Sequence, residues 1–138
     1  TRFLPKRWDR HEVLLAGEGW TPTGRILLCA FINRPEHLAL RVIIGPGPQF
    51  VRRAILQTCQ QHKRIFNRAG GKVNQKWKTV YNVKILNPSD YEDPDFDAMK
   101  NRIQDRWERF LDVDLPKINE VIAEVPWEEL EAQMPDQD

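Results

Sequence analysis

Residues 25–32 read Arg-Ile-Leu-Leu-Cys-Ala-Phe-Ile, residues 33–36 read Asn-Arg-Pro-Glu, and residues 37–44 read His-Leu-Ala-Leu-Arg-Val-Ile-Ile. This stretch decides the fold. The first run is almost unbroken in its apolar character and lies between turn signals, the pattern of a strand covered on both faces. Asn33-Arg34-Pro35-Glu36 has the composition of a hairpin connection. The next residues alternate, with Leu38, Leu40, Val42 and Ile44 on one face and His37, Ala39, Arg41 and Ile43 on the other. The expectation is two adjacent strands, 25–32 and 37–44.

Working toward the C-terminus, Gly45-Pro46-Gly47-Pro48 stops the second strand. Phe50, Val51, Ala54, Ile55, Cys59, Ile65 and Phe66 then recur at spacings of three and four, which predicts a helix from about Pro48 to Phe66. Asn67-Arg68-Ala69-Gly70-Gly71 ends it. Residues 72–86 alternate again, but the stretch is long for one strand, and its first part reads as either strand or loop. Val73, Gln75, Trp77, Thr79, Tyr81, Val83 and Ile85 share one face of this predicted strand. Lys72, Asn74, Lys76, Lys78, Val80, Asn82 and Lys84 share the other. A long helix is predicted from near Asp95, with Phe96, Met99, Ile103, Trp107, Phe110 and Leu111 as its apolar stripe. Pro116 predicts a kink or a second helix, which carries Ile118, Val121, Ile122 and Val125 and stops at Pro126.

Toward the N-terminus, residues 12–16 read as a short strand and 17–24 as a turn-rich connection. The sum is an α+β fold, a mostly antiparallel sheet of about four strands packed by helices in the order β-β-β-α-β-α-α. Residues 1–126 form a single domain in this reading, and residues 127–138 form an acidic, flexible tail.

The chain has 138 residues, 41% of them hydrophobic, with five Trp and six Phe, enough for one domain with a real core. No apolar run approaches the roughly 18 residues of a membrane span, so no membrane partner is expected. The first residues, Thr-Arg-Phe-Leu-Pro-Lys-Arg-Trp, lack the apolar centre of a signal peptide and lack Met. They read as the start of a piece cut from a longer protein. Cys29 and Cys59 fall in apolar patterns and read as buried free thiols, which fits a reducing cytoplasm. His11, His37 and His62 show no metal-ligand spacing, and no cofactor is expected.

Charge is distributed very unevenly. Between Glu36 and Asp90 there is no acidic residue and there are ten Lys or Arg. The net charge of +1 is the balance of +2 for residues 1–36, +10 for 37–89 and −11 for 90–138. Long cations on solvated helix and strand faces leave a positive field that attracts phosphate backbones. The candidate nucleic-acid contacts are therefore Arg52, Arg53, Lys63, Arg64, Arg68, Lys72, Lys76, Lys78 and Lys84. The competing reading gives those cations to the acidic helices after Asp90, either within one chain or between two.

Three further features bear on function. The stretch from Ile44 to Arg53 could seat a phosphate at a helix N-terminus, but it lacks the Gly-Lys-Ser/Thr ending of a Walker loop and its prolines remove N–H donors. A plain strand-to-helix turn is the favoured reading. The carboxylates of Asp90, Glu92, Asp93, Asp95 and Asp97 could bind a divalent cation, yet helix capping and dipole pairing explain most of them. Trp77 and Trp107 fall on apolar stripes and are expected in the core, whereas Trp8 and Trp20 could face a partner. No nucleophile–base pair and no paired carboxylate motif occurs, so no catalytic residue is assigned.

Leu15-Ala16-Gly17-Glu18-Gly19-Trp20 with Gly24-Arg25-Ile26-Leu27, Val42-Ile43-Ile44-Gly45-Pro46-Gly47, and Trp107-Glu108-Arg109-Phe110-Leu111 with Asp114-Leu115-Pro116-Lys117-Ile118 together resemble a known group. They are similar to the C-terminal portion of prokaryotic proteins related to the PD-(D/E)XK nucleases, common in restriction-like and phage-defence systems. The resemblance spans about residues 10–122. That family cleaves with an Asp on one strand and Asp/Glu-x-Lys on the next. No predicted strand here carries that pattern, and residues 72–86 hold no carboxylate at all. The resemblance thus implies an accessory domain, with metal-dependent cleavage located elsewhere. The functional expectation is a non-catalytic domain that contacts the backbone of DNA or RNA. Its alternative is a protein-interaction or dimerisation module with complementary basic and acidic surfaces, pairing with a second copy or with other domains of a parent protein.

Overall fold

The computed structural model describes residues 2–10, 26–73, 75–92 and 94–134. One antiparallel sheet runs in the order β1-β2-β3-β4, with β1 at Arg2–Phe3, β2 at Leu27–Arg34, β3 at His37–Ile44 and β4 at Lys78–Leu86. The helices are α1 (Gln49–Gln60), α2 (Ser89–Glu92), α3 (Phe96–Arg109), α4 (Leu115–Ala123) and α5 (Trp127–Gln133). The expected α+β architecture and its antiparallel sheet are observed.

The β2–β3 hairpin keeps register from Leu27 opposite Ile44 to Arg34 opposite His37, so it closes on Pro35-Glu36. Strand β1 was not expected. Its two residues pair with Ala30 and Cys29, too short a run for alternation to reveal. The strand expected at 12–16 and the connection at 17–24 lie outside the described residues.

Across the sheet, Cys29, Val42 and Tyr81 stand in one row and Phe31, Leu40 and Val83 in the next. This face is the floor of the core. Helix α1 buries Val51, Ile55, Leu56 and Cys59, and α4 buries Ile118, Val121 and Ile122. Truncating a fully buried side chain such as Ile55 to Ala costs about 2–5 kcal/mol. Phe3, Phe31, Trp107 and Phe110 form an aromatic cluster at the β1–β2 side, with ring centroids 5.4–6.4 Å apart.

Helix α1 stops at Gln60 rather than Phe66. The His62 N–H donates to the Cys59 carbonyl and the Phe66 N–H to the His62 carbonyl, each at 3.0 Å. This turn drops the Phe66 ring into the core.

Asp95 caps α3, its Oδ1 accepting from the Ala98 N–H at 3.1 Å. The break expected at Pro116 takes another form. The backbone stays helical from α3 into α4 through one wide turn, Phe110–Asp114, in which the Leu115 N–H reaches back to the Phe110 carbonyl. Pro116 has no N–H to return to the preceding turn, and a wide turn just before it accommodates that gap.

Two expectations about the ends are corrected. The segment from Trp127, read as a flexible tail, continues as α5 to Gln133. Trp127 and Leu130 are buried, and the Trp127 indole N–H donates to the Ile122 carbonyl at 2.8 Å. Apolar residues at both positions outweigh the acidic composition between them. Trp8, read as partner-facing, is 1% exposed and donates its Nε1–H to Asn119 Oδ1 at 3.0 Å. Among the described residues no helix is long and apolar enough to cross a membrane.

Candidate nucleic-acid interface

The opposite face of the sheet carries a different set of side chains because β4 is bulged twice. Val42 pairs with Tyr81 but Ile43 pairs with Thr79, so Val80 is an extra residue. Leu38 pairs with Leu86 but Ala39 pairs with Lys84, so Ile85 is another. Each bulge shifts the alternation by one. Val80 and Ile85 stay in the core, Tyr81 faces the helices, and Thr79 changes sides. Trp77, expected on the Tyr81 face, stands just ahead of β4 and lines the opposite side together with Lys78 and Thr79. It is 38% exposed, whereas Trp8 and Trp127 are buried.

A groove of about 450 Å³ runs along this face. Arg41, Arg68, Lys78 and Lys84 supply its cations, and Trp77 supplies an aromatic wall. His37, Gln75, Thr79 and Asn82 also line it, and among the described residues no carboxylate does. The side chains are held in place. Arg41 donates from Nε to Asn82 Oδ1 at 3.0 Å, directly across the β3–β4 pair. Lys78 donates from Nζ to the Gly70 carbonyl at 2.6 Å.

Arg68 reaches the groove because the segment 67–70 lies along the outer edge of β4. The Arg68 N–H donates to the Val80 carbonyl at 3.1 Å. The Asn67 carboxamide donates to the Asn82 carbonyl and accepts from the Asn82 N–H, both at 2.9 Å. An open strand edge is thereby closed. Gly71 turns the chain back with φ of 79°, a left-handed conformation that suits glycine. The Gln60 side chain fastens that turn by donating to the Ala69 and Gly71 carbonyls, each at 2.8 Å.

The nine cations named from sequence separate into groups. Arg68, Lys78 and Lys84 line the groove. Arg53 and Lys72 line a second hollow, of about 440 Å³, between α1 and residues 71–73. Lys63 and Arg64 are exposed on the turn after α1, and Lys76 is exposed ahead of β4. Arg52 is a correction. It is 5% exposed, and its guanidinium donates to the backbone carbonyls of Val73, Gln75 and Lys76 and to Gln49 Oε1. It builds the loop before β4 and is not a surface contact. Arg41, Trp77 and Asn82 were missed. The alternation 37–44 did place Arg41 on the non-core face, but a single Arg there carried no further signal.

Among the described residues, none of the acidic half lines this groove. The helices after Asp90 pack on the Tyr81 face, where Tyr81 and Phe110 ring centroids are 6.0 Å apart. The Tyr81 hydroxyl donates to Asp114 Oδ2 at 2.5 Å. Among the described residues the ion pairs are His62 with Glu124 at 2.6 Å and Arg102 with Asp90 at 2.8 Å, neither involving a groove cation.

The remaining candidates have structural roles. The Gly45 N–H donates to the Ile26 carbonyl, and Arg52 turns toward the loop before β4, so residues 44–53 form a strand-to-helix turn. Asp90 accepts from the Asn87 N–H and from Arg102, while Asp95 caps α3. Asp93 lies outside the described residues. Cys29 and Cys59 are free and buried, as expected. Burial pushes the Cys59 thiol up to about 12 and pushes Cys29 in the same direction, which suppresses the nucleophilic thiolate. Burial, then the hydrogen bond to Asp114, likewise pushes the Tyr81 hydroxyl upward.

No family model, curated protein or solved structure matches this chain.

Proposed function

We propose that this domain is a non-catalytic nucleic-acid-binding module that holds phosphates in the groove on the sheet face opposite Tyr81. The observation that carries this reading is the groove itself, with Arg41, Arg68, Lys78 and Lys84 gathered where, among the described residues, no carboxylate lines the wall. Cations gathered in a concave site concentrate positive potential, and each phosphate neutralised releases condensed counterions. The resemblance to an accessory portion of nuclease-related proteins agrees with a domain that holds a strand while another part cleaves it.

The test is a salt titration of oligonucleotide binding by fluorescence anisotropy. Four phosphate contacts give a slope of log K against log salt of about −3. No binding at salt on the order of 50 mM overturns the reading.

A second reading is favoured by one observation. The basic groove and the acidic helices occupy opposite layers, and α3 with its following turn exposes Phe96, Ile103, Leu111 and Val113. Copies could therefore associate layer to layer. Sedimentation showing a dimer that dissociates with salt, in a protein that ignores nucleic acid, selects this alternative.

A further inference from the structure

We propose that Asn82 is the positioning residue of the groove: it aims the Arg41 guanidinium so that both terminal nitrogens grip one backbone phosphate as a fork. This rests on the nucleic-acid reading and assigns the phosphate grip to one preset residue within it.

The first ground is how Arg41 is held. Arg41 and Asn82 stand opposite each other across the β3–β4 pair, and both line the groove. The Arg41 Nε–H donates to Asn82 Oδ1 at 3.0 Å. A guanidinium is planar and carries five N–H donors in a rigid fork. The bond at Nε uses one donor and fixes the plane. The other four are on Nη1 and Nη2, the end that matches two oxygens of a phosphate.

The second ground is the footing of Asn82. Its N–H and its carbonyl both bond outward to the Asn67 carboxamide, each at 2.9 Å. Arg41 and Asn82 are therefore a non-hydrogen-bonded pair of the β3–β4 ladder, the kind whose side chains stand closer together. The backbone beneath the Asn82 side chain is held from the outer edge as well as by β3. On that outer edge the Arg68 N–H donates to the Val80 carbonyl at 3.1 Å, so Arg68 brings a second guanidinium to the groove from the other side of β4.

The third ground is the chemistry of the partner. Opposite charges are the ordinary way for a cross-strand pair to stabilise a sheet. A carboxylate at position 82 would aim the guanidinium equally well, but it would cancel the charge. A neutral amide orients the cation and leaves its whole charge for a ligand. The ion pairs among the described residues do not involve Arg41.

The experiment separates charge from orientation. Affinity and salt slope are measured by fluorescence anisotropy with a labelled DNA strand, the RNA of the same sequence and the DNA duplex, and the tightest binder is carried through the variants. Arg41→Lys keeps the charge and loses the fork, and should weaken binding about tenfold with an unchanged salt slope. Asn82→Ala keeps every charge and also the Asn67 clasp, whose partners are backbone atoms. It should weaken binding about threefold to tenfold, again with an unchanged slope. Arg41→Gln should lower the affinity and also flatten the slope by about 0.7–0.9. Circular dichroism and urea midpoints identify the folded variants. A purely structural pair would lower the Asn82→Ala midpoint and leave the affinity of the folded protein unchanged. If either Arg41→Lys or Asn82→Ala binds like the parent while Lys84→Gln binds more weakly, the positioning proposal is overturned and the phosphate reading stands. Absence of parent binding to all three nucleic acids overturns both.

Discussion

Asn67 and Asn82 form a two-way clasp: the Asn67 carboxamide gives one hydrogen bond to the Asn82 carbonyl and takes one from the Asn82 N–H, both at 2.9 Å. A side chain thus imitates the neighbouring strand that β4 lacks on its outer side. Replacing Asn67 with Ala leaves two backbone groups to water on an exposed edge. We expect a loss of about 1–2 kcal/mol in urea unfolding. We also expect a greater tendency to self-associate, seen as light scattering on warming, because unpaired edges template further pairing.

Arg52 should behave as a structural residue. Arg52→Met keeps the length of the side chain but deprives the Val73, Gln75 and Lys76 carbonyls of their donor. A destabilisation of about 2–4 kcal/mol is expected, together with faster proteolysis in residues 73–77. A variant that unfolds at the parent denaturant concentration would show that the loop is held by something else.

Groove and non-groove cations should separate in binding. Lys84→Gln removes a groove cation and is expected to reduce affinity and flatten the salt slope by about 0.7–0.9. Arg53→Gln, in the hollow beside α1, is expected to change neither quantity measurably. Equal effects from the two variants would point to diffuse attraction by the whole basic span.

Stability should fall in alkali. Cys59 is pushed up to about 12 from an ordinary thiol value near 9. Above that ordinary value the unfolded chain has released its thiol proton while the folded chain retains it. The folded state then binds more protons, so its stability decreases as pH rises, by about 1 kcal/mol per pH unit for this thiol between pH 9 and 12. Cys29 and Tyr81 are shifted in the same direction and add to the trend. Urea midpoints measured from pH 8 upward should drop steadily, and Cys59→Ala should reduce the slope. At neutral pH neither thiol should react with a disulfide reagent unless the protein is first unfolded.

The hairpin was readable from sequence because two runs of apolar residues flank a turn, and burial on one face fixes their register. The start of α1, the stop after Leu86 and the helical stripe through Trp107 were readable for similar reasons. Trp77 was misplaced because alternation was read through residues 72–86, whereas the strand begins only at Lys78 and Trp77 belongs to the loop before it. Arg52 was misplaced because its three acceptors are backbone carbonyls more than twenty residues away, which leave no trace in side-chain pattern. The groove therefore had visible cations in the sequence, but neither its ring nor its shape.

The separation of charge between the two layers has a consequence for the molecule in solution. A net charge of +1 suggests a nearly neutral particle, yet the groove face gathers Arg41, Arg68, Lys78 and Lys84 while the helices after Asp90 carry most of the acids. Such a molecule has a large electric dipole. It turns as it nears a polyanion, presenting the sheet face and holding the helices outward, so many encounters begin in one orientation. The same dipole should let both cation- and anion-exchange resins retain it near its isoelectric point, each by an opposite side.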